Sequence, residues 1–555
     1  MNIQTLQKTG KLKTVVNVLM AFFILAGLTV FIPSVRQTAL ATVGNMMARL
    51  GKAQNDDVVN NFRMIWLGLT LLISCGLFVT YINCNSDEAV RKASLAICAI
   101  TTCTVTVLIM YHANWTMGDD HEFLNSLCLG KLKPVHVEHG RLFGHYEYNI
   151  LLLTPFFDNA VAYYLINAVE YVIFSVCFFH VIKYAVSGYF KTVNRLSYCI
   201  ITFWYICMNG LFCKVFMDLV FSDKTLIVLI AIMVVFLIKG MESGKKGFYI
   251  YALLTAICAT YFKEPVFGSL LVLSIAILLI KRKKISSGEL IFCIGLVINA
   301  VIYVILYYNI SLKNAADGLY GGGGTNSLAA SPVKALVQMY KQNAFLMVIT
   351  ILSVVKVIKY IASLRKSGAD SQLTVFDALL LAGCSYFFAY YLLRMTSEHY
   401  LLPCLAFAFP AIIIDLNNFF TRKNIWKKII PVLCMLFLLP VLYHVINRAG
   451  TNIYHKNHCF AECQNIAELN EPGARFYWYD EGGGYIRWYT IAVSAAANYH
   501  HQDNPVNFIT MSTLKPELEV DEYVFCTNPI REYKDSEDIE EIKNLHFYMY
   551  KRSVR

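Results

Sequence analysis

Apolar segments of about twenty residues recur along most of the chain, and they limit its fold more than any other feature. As a helix, each segment is long enough to cross about 30 Å of hydrocarbon at about 1.5 Å per residue. Hydrophobic residues make up 57% of the 555 residues, charged residues only 15%, and the mean hydropathy is +0.51. Since soluble domains carry about 25% charged residues, the sequence excludes a single soluble enzyme and predicts an all-α polytopic membrane protein.

Thirteen of these segments are predicted to be membrane-spanning helices. The weakest of them is 225–238, because it is short for a span. Each span changes the side of the membrane, so an error there would reverse the side of every later segment. The predicted spans are 14–33, 64–82, 93–111, 160–182, 196–213, 225–238, 248–262, 265–280, 290–308, 344–360, 376–393, 399–416 and 429–446.

The distribution of Lys and Arg predicts the orientation of these spans. With the N-terminus inside, the inner connectors carry 23 basic residues in about 80 positions and the outer connectors carry 14 in about 120. This is the asymmetry that the positive-inside rule requires. The net charge of +11 is therefore explained by basic residues that orient the spans in the bilayer, and we expect no nucleic-acid partner. The predicted location is the cell membrane, with a cytoplasmic N-terminus and an extracytoplasmic C-terminal segment.

The pattern divides the chain into four predicted parts. Residues 1–92 hold two spans and an outer loop, and 93–310 form a transmembrane core that includes a long acidic outer loop, 112–159. Residues 311–446 hold an outer glycine-rich loop and four further spans. Residues 447–555 change to short alternating runs, which predict a small extracytoplasmic α/β domain.

Four runs in the C-terminal segment are predicted to be strands. They are Arg475–Tyr479, Val506–Thr510, Tyr523–Cys526 and His546–Tyr550, with a helix predicted over Tyr485–Tyr499. In the glycine-rich loop, Gly321–Gly324 has neither the preceding strand nor the following Lys-Ser/Thr of a phosphate-binding loop. A plain surface loop or a lid over an active site would account for it.

The acidic outer loop holds the most informative polar residues. Asp119 and Asp120 follow the third span, and Glu122 comes two positions later. Asp119 is a natural N-cap and Glu122 would complete a capping box, so a helix terminus explains part of the pattern. A cap does not need a second acid at Asp120, nor Arg141 and His145 on the return to the membrane. The alternative is a carboxylate presented to the headgroup plane for catalysis.

Two short outer turns carry further charged residues. Lys263 and Glu264 lie between two spans, where a snorkelling lysine beside an exposed glutamate is the simpler interpretation. Arg394, Glu398, His399 and Tyr400 make up the other turn, which would serve equally as an interfacial anchor of mixed polarity. Their shared side of the membrane favours a common site, because a phosphate leaving group needs a nearby cation.

These residues resemble the GT-C glycosyltransferase superfamily, which includes protein O-mannosyltransferases and the lipid A aminoarabinose transferase. The resemblance covers residues 93–446 and consists of the acidic pair, the turn Lys263–Pro265 and the turn Glu398–Pro403. It implies a GT-C-like transmembrane core with an extracytoplasmic C-terminal domain. Two features depart from the superfamily pattern: the acidic loop follows the third span rather than the first, and no second acidic pair lies in a later outer loop.

The resemblance implies transfer of a sugar from a polyprenyl-phosphate donor in the membrane lipid to an extracytoplasmic acceptor: a cell-surface glycan, teichoic acid, lipid or protein. We expect Asp120, with Asp119 as second choice, to take the acceptor proton. Lys263, Arg394 and His399 are expected to bind the donor phosphate. The other candidates for substrate binding are Glu122, Arg141, His145, Glu264, Glu398 and Tyr400.

The sequence leaves two other functions open. The first is an O-antigen-type polymerase or ligase, which would act on lipid-linked glycans in the same compartment. The second is a lipid or glycan flippase, which would favour inverted repeats and ionisable residues at mid-membrane depth. No cofactor is predicted with certainty, and a divalent cation stays open because no second acidic pair is found.

Overall fold

The computed structural model describes most of the helical part of the chain and much of its C-terminal sheet. The described ranges are 87–111, 137–189, 215–219, 221–313, 332–342, 345–365, 373–393, 397–420, 474–479, 508–512, 515–526, 530–543 and 548–553, with further single positions and short stretches that include Asp120 and Tyr499. The predicted spans 196–213 and 429–446, most of 64–82, part of 14–33, the glycine run and most of the predicted helix 485–499 lie outside the described residues.

Helices account for most of the described chain. They are α1 (Asp87–Met110), α2 (Ala160–Tyr189), α3 (Asp223–Ser243), α4 (Lys246–Thr260), α5 (Val266–Lys281), α6 (Ser287–Tyr307), α7 (Pro332–Gln342), α8 (Phe345–Arg365), α9 (Val375–Leu392) and α10 (Leu402–Phe420). A π-helical turn, Tyr308–Leu312, extends α6. All helices except α7 coincide with predicted spans, and α7 lies in a predicted outer loop.

Five described helical segments are long and apolar enough to cross a membrane: Ala160–Ala185, Asp223–Ser243, Ser287–Ser311, Phe345–Leu364 and Val375–Leu392. The weakest predicted span is among them, as α3, with a mean hydropathy of 2.3. Shorter apolar helices occur in α1, α4, α5 and α10. The described chain is therefore that of a largely helical membrane protein, as the sequence predicts.

The helices pack through small residues and leave apolar side chains outside. Gly383 on α9 lies so close to α10 that a Cβ atom there would be 2.7 Å from the carbonyl oxygen of Cys404. Ile305 on α6 and Ile358 on α8 are more than half exposed, at 57% and 59%. Apolar side chains on the outside of a bundle suit a lipid environment, since lipid rather than water would contact them.

The connection between α5 and α6 is set by local sequence. Ser286 is the N-cap of α6: its side chain accepts a hydrogen bond from the Glu289 backbone N–H (3.2 Å), and the Glu289 carboxylate accepts one from the Ser286 N–H (2.9 Å). Lys281 at the end of α5 lies 3.0 Å from the same carboxylate. This capping box ends one helix and begins the next within five residues.

The alternating direction of the helices collects the predicted site segments at one end of the bundle. This end, which we call the upper end, contains the last residues of α1, α4, α6 and α9 and the first residues of α2, α3, α5 and α10. Two 3₁₀ segments also lie there, Tyr146–Leu153 and Glu398–Leu401. The connectors α3–α4 and α5–α6 lie at the lower end.

The C-terminal segment contains a five-stranded sheet: β1 (Arg475–Tyr479), β2 (Phe508–Ser512), β3 (Glu522–Cys526), β4 (Ile539–Lys543) and β5 (Tyr548–Arg552), with a short helix α11 (Arg531–Lys534) before β4. The strand order is β2-β1-β3-β5-β4. β1 pairs in parallel with β2 and β3, while β5 pairs antiparallel with β3 and β4. The predicted strands are confirmed with shifts of up to two residues, and β4 was not predicted.

Both faces of the sheet are covered. On β3, the alternating side chains Tyr523 and Phe525 join the main hydrophobic core, and Val524 and Cys526 face a second, smaller core with Tyr533 of α11. Tyr499, which precedes β2, packs on the main core and lies near Tyr163 at the start of α2. The C-terminal segment therefore contacts the upper end of the bundle.

Candidate functional site

The structure brings seven of the predicted site residues to the upper end of the bundle. They are Asp120, Arg141, His145, Lys263, Glu264, His399 and Tyr400. Asp119, Glu122 and Arg394 lie outside the described residues, and only the backbone of Glu398 is described. The roles predicted for all eleven residues stay predictions.

The segment that carries Arg141 and His145 is fixed across the ends of α4 and α6. Gly140 has a φ of +78°, and a Cβ atom there would lie 2.9 Å from the Tyr307 ring. Its carbonyl oxygen accepts a hydrogen bond from the Tyr303 hydroxyl (3.4 Å). The Phe143 N–H donates to the carbonyl oxygen of Tyr261 (3.0 Å). A side chain at position 140 would disrupt this approach, so only glycine suits both the space and the backbone angle.

Asp120 is enclosed rather than presented to the surface. Its side chain is 1% exposed, and its Oδ1 atom accepts a hydrogen bond from the Leu219 backbone N–H (3.0 Å). The Tyr164 hydroxyl lies 3.5 Å from Oδ2. In this structure the carboxylate holds the segment 215–219 against α2, so the expectation of a carboxylate facing the headgroup plane is not met here.

Lys263 forms the most buried ion pair at the upper end. Its Nζ atom lies 2.8 Å from Oδ2 of Asp223, and the two side chains are 3% and 0% exposed. The same ammonium lies 4.8 Å from the centre of the Tyr400 ring. The simpler interpretation of this turn, a snorkelling lysine beside an exposed glutamate, is wrong: Asp223 provides a partner inside the protein, and Glu264 is only 5% exposed.

Burial lowers the pKa of Lys263, because the charged ammonium is removed from water. The neighbouring Asp223 and Glu264 carboxylates oppose this effect, whereas Arg141 adds to it. Burial and the nearby negative charges therefore act on the pKa of Lys263 in opposite directions. Such a balance is typical of functional sites, although structural ion pairs show it as well.

A second ion pair stands beside the first. Arg141 Nε donates to Oε1 of Glu264 at 2.8 Å, with side chains that are 11% and 7% exposed. Because Lys263 and Glu264 are adjacent, one turn anchors both the start of α3 and the 137–153 segment. The two predicted residues Arg141 and Glu264 therefore contact each other, although 123 positions separate them.

Aromatic rings pack around Tyr400, whose ring lies over Lys263. The His399 ring lies 4.0 Å from the Tyr400 ring and 4.4 Å from the Phe221 ring, measured between centroids. Tyr400 stacks on Tyr390 of α9 at 5.0 Å and 11°. The turn Glu398–Leu401 thus contacts Phe221, which directly precedes Ser222, the N-cap residue of α3.

A third charged group lies beside the segment 215–219. Lys224 Nζ donates to the carbonyl oxygen of Leu219 (2.6 Å) and lies 3.9 Å from Oε1 of Glu147, which accepts from the Thr225 hydroxyl at 3.1 Å. Glu170 on α2 lies near the charges of Glu147 and Lys224. Burial raises the pKa of Glu147, and Lys224 opposes this rise.

Sequence reasoning missed Asp223 and Lys224, the partners that organise this end. Both residues are fully buried, and they form the first turn of α3. The available signal was an acid and a base side by side directly before an apolar run. The predicted span began at residue 225, two positions too late, which left the pair in a connector.

The arrangement provides enclosed carboxylates, ammonium groups and a guanidinium within one set of contacts. In the described part of the chain, no group of three or more His, Cys, Asp or Glu residues is arranged to hold a metal ion. Positive charge near the carboxylates comes instead from Lys224, Lys263 and Arg141. The chemistry that these groups support directly is proton transfer and the binding of anionic or hydroxyl-rich ligands.

The lower end carries a separate ion cluster that the sequence did not predict. Lys356 of α8 lies 2.6 Å from Oδ1 of Asp377 on α9 and 2.7 Å from Oδ1 of Asp415 on α10. The Lys356 side chain is 9% exposed. This cluster joins three helices.

Comparison with known proteins does not assign the chain to a family. No protein-family model matches it, and no curated protein matches it.

Proposed function

We propose that the chain is a membrane glycosyltransferase that moves a sugar from a polyprenyl-phosphate donor to an extracytoplasmic acceptor. The observation that carries the proposal is the buried charged cluster at the upper end, where Asp223, Lys263 and Glu264 are enclosed at helix ends. Enclosing charges is costly even when they are paired. In a membrane protein, such groups mark functional sites by default.

The reaction would proceed by attack of an acceptor hydroxyl on the anomeric carbon of the sugar. The bond from that carbon to the phosphate oxygen breaks, and its electron pair stays on the phosphate. A carboxylate takes the hydroxyl proton, and cations stabilise the charge that develops on the phosphate. Asp120, or Asp119 next to it, is the proposed base. Lys263, His399 and Arg394 are the proposed phosphate ligands.

This mechanism requires movement at the upper end. Asp120 is hydrogen-bonded to Leu219, so the segment 215–219 would have to shift before an acceptor reached the carboxylate. Lys263 would exchange part of its contact with Asp223 for the donor phosphate. Closure over a bound substrate is a common way of excluding water from reactive groups.

We also propose the membrane arrangement derived from the charge asymmetry: thirteen spans, a cytoplasmic N-terminus and an extracytoplasmic C-terminal domain that orients the acceptor. The contact between Tyr499 and the upper end supports the last part, because it brings the C-terminal segment beside the cluster. Reporter fusions after Lys284 and after Arg555 should report opposite sides of the membrane. The same side for both would contradict the arrangement.

A flippase is the second candidate, and one observation favours it. Lys356 lies near the middle of a helical segment of spanning length, Phe345–Leu364, and its ammonium pairs with the carboxylates of Asp377 and Asp415. Transporters use ionisable groups inside the membrane. An O-antigen-type polymerase or ligase would act on similar lipid-linked glycans, and no described feature favours it over simple transfer.

The experiment is incubation of the purified full chain, in lipid nanodiscs, with a panel of polyprenyl-phosphate sugars. Mass spectrometry would measure the release of polyprenyl phosphate in the presence of a mixed glycan and lipid acceptor extract. Release from one donor is the expected result. No release from any donor would contradict glycosyl transfer, and movement of intact donor across the bilayer would favour the flippase.

A further inference from the structure

We propose that Asp223, Tyr386 and Tyr390 form a buried subsite that binds hydroxyl groups of the donor sugar beneath Lys263 and Tyr400. The inference rests on the proposed glycosyl transfer and assigns a place to the sugar itself. None of these three residues is suggested by the sequence motifs. Three buried polar atoms from two helices, α3 and α9, make up the subsite.

The first of these atoms is Oδ1 of Asp223. The side chain is fully buried at the start of α3, and its other oxygen, Oδ2, takes the Lys263 ammonium. Within the described part of the chain, Oδ1 has no hydrogen-bond partner. A buried carboxylate oxygen without a donor is costly, because it has lost water without gaining a hydrogen bond. Asp223 Oδ1 could therefore accept a hydrogen bond from a ligand.

The other two atoms are the hydroxyls of Tyr386 and Tyr390. These residues are one turn apart on α9, their ring centroids are 5.2 Å apart, and they are 0% and 1% exposed. The two hydroxyls interact with each other, and neither has a hydrogen-bond partner among the other described residues. Even if one hydroxyl donates to the other, the second hydroxyl proton has no acceptor among the described residues, which is unusual because buried polar atoms are nearly always hydrogen-bonded.

Asp223 lies close to Tyr386 and Tyr390. The Asp223 charge acts on the hydroxyls of both tyrosines. A chain of contacts links them. Lys263 pairs with Asp223 and lies over the Tyr400 ring, and the Tyr400 ring stacks on Tyr390. Tyr386 lies six residues from Leu392 at the end of α9, which is about 9 Å along the helix. The subsite thus lies within about 9 Å of the upper end along α9.

The chemistry of this set selects the ligand. Asp223 Oδ1 can only accept hydrogen bonds when ionised, whereas the tyrosine hydroxyls both donate and accept. A phosphate would be repelled by Asp223, and a metal ion would compete with the bound Lys263. A sugar hydroxyl donates to the carboxylate and accepts from a phenol, and the Tyr400 ring offers an apolar face beside it. The donor phosphate would then remain near Lys263, at the mouth of the subsite.

The test compares a lipid that carries a sugar with one that does not. Each member of the polyprenyl-phosphate sugar panel, and polyprenyl phosphate alone, is titrated into the full chain in nanodiscs. Dissociation constants are measured by native mass spectrometry for wild type, Tyr386→Phe, Tyr390→Phe and the double variant. Tyr391→Phe serves as the control, because Tyr391 is on the same helix but packs against Phe388.

For at least one sugar-bearing lipid, we expect each single substitution to weaken binding about tenfold, as for the loss of one hydrogen bond of about 1.4 kcal/mol. Binding of polyprenyl phosphate alone should not change, and Tyr391→Phe should match wild type throughout. Thermal stability should stay equal or rise, because each substitution removes a buried hydroxyl that has no hydrogen-bond partner outside the tyrosine pair among the described residues. Equal effects on both kinds of lipid, no effect on either, or a fall in stability without a change in binding would overturn the subsite.

Asp223→Asn alone leaves Lys263 without its charged partner, so the tyrosine variants carry the test. The outcomes also separate this inference from the proposed function. Turnover of a donor with unchanged sugar-lipid binding in the tyrosine variants would remove the subsite and leave transfer in place. Tyrosine-dependent binding of a sugar lipid without turnover would remove transfer and leave the subsite in place. Failure of the wild type to bind any sugar lipid would overturn the subsite.

Discussion

Lys263 Nζ and Asp223 Oδ2 lie 2.8 Å apart in surroundings that leave the two side chains 3% and 0% exposed. The pair connects the turn between α4 and α5 with the first residue of α3. Neither charge has access to bulk water, so each depends on the other. The pair therefore holds the α4–α5 turn against the start of α3 at the upper end.

Loss of one member of this pair should be more damaging than loss of both. Lys263→Met leaves the Asp223 carboxylate buried without its cation, and we expect destabilisation of about 3–5 kcal/mol. The double variant Lys263→Met with Asp223→Asn should recover much of this loss. Thermal unfolding of the purified chain measures the cycle. A Lys263→Met chain as stable as wild type would show that the pair contributes nothing.

The pH dependence of stability should reveal Glu147. Burial raises the pKa of its carboxyl above the ordinary value of 4.5, against the opposing charge of Lys224 and with Glu170 and His145 close by. Between pH 4.5 and the raised pKa, the folded chain holds a proton that the unfolded chain has released. The free energy of unfolding therefore falls as pH rises through this range.

Glu147→Gln removes this proton equilibrium, so its stability should vary less with pH above 4.5 than that of wild type. Thermal unfolding at a series of pH values gives both slopes. Glu242→Gln, an exposed position at the end of α3, is the control and should follow wild type. Parallel slopes for wild type and Glu147→Gln would count against a raised pKa.

Gly140→Ala should loosen the segment that carries Arg141. The backbone is left-handed at this position, and the new Cβ atom would lie 2.9 Å from the Tyr307 ring. We expect a loss of about 1–3 kcal/mol and faster hydrogen exchange over residues 137–153. Gly247→Ala in α4, where a Cβ atom meets nothing within 4 Å, should be neutral or slightly stabilising. Equal exchange in both variants would refute the proposed constraint.

Lys356→Met should destabilise the lower end, because it leaves Asp377 and Asp415 close together without their shared cation. The expected loss is about 3–5 kcal/mol in thermal unfolding. Lys359→Met, an exposed position on the same helix, is the matched control. If Lys356→Met kept its stability but abolished lipid movement in a flipping assay, the cluster would be a transport site rather than a link between helices.

The helices could be predicted from the sequence because a hydrophobic run is a local signal. Even the weakest predicted span, 225–238, lies inside the helix Asp223–Ser243. Strand Arg475–Tyr479 was predicted at its observed bounds because its aromatic residues alternate between the two faces of the sheet. Strand Ile539–Lys543 was missed because it is a charged strand at the edge of the sheet, where charges discourage further pairing.

For the site residues, the sequence could predict only the end of the bundle at which each residue lies. Short connectors place Lys263 and His399 at the same end of the bundle, and that much follows from counting spans. The choice of partner is a tertiary property: nothing local indicates that Lys263 meets Asp223, 40 positions earlier, or that Arg141 meets Glu264. The burial of Asp120 likewise depends on Leu219, which comes from a different connector.

The most direct test of the central claim is the release of polyprenyl phosphate from the donor that wild type uses, measured by mass spectrometry for acidic-pair variants. We expect Asp120→Asn to lose turnover while remaining folded, because an amide keeps the shape of the carboxylate but cannot take the acceptor proton. Asp158→Asn, an exposed acid in the same outer loop, should retain wild-type release. Loss in Asp119→Asn with normal release in Asp120→Asn would exchange the roles of the two acids. Normal release in both single variants and in the double variant would contradict the account, and the Asp120 carboxylate would then only hold the segment 215–219 in place.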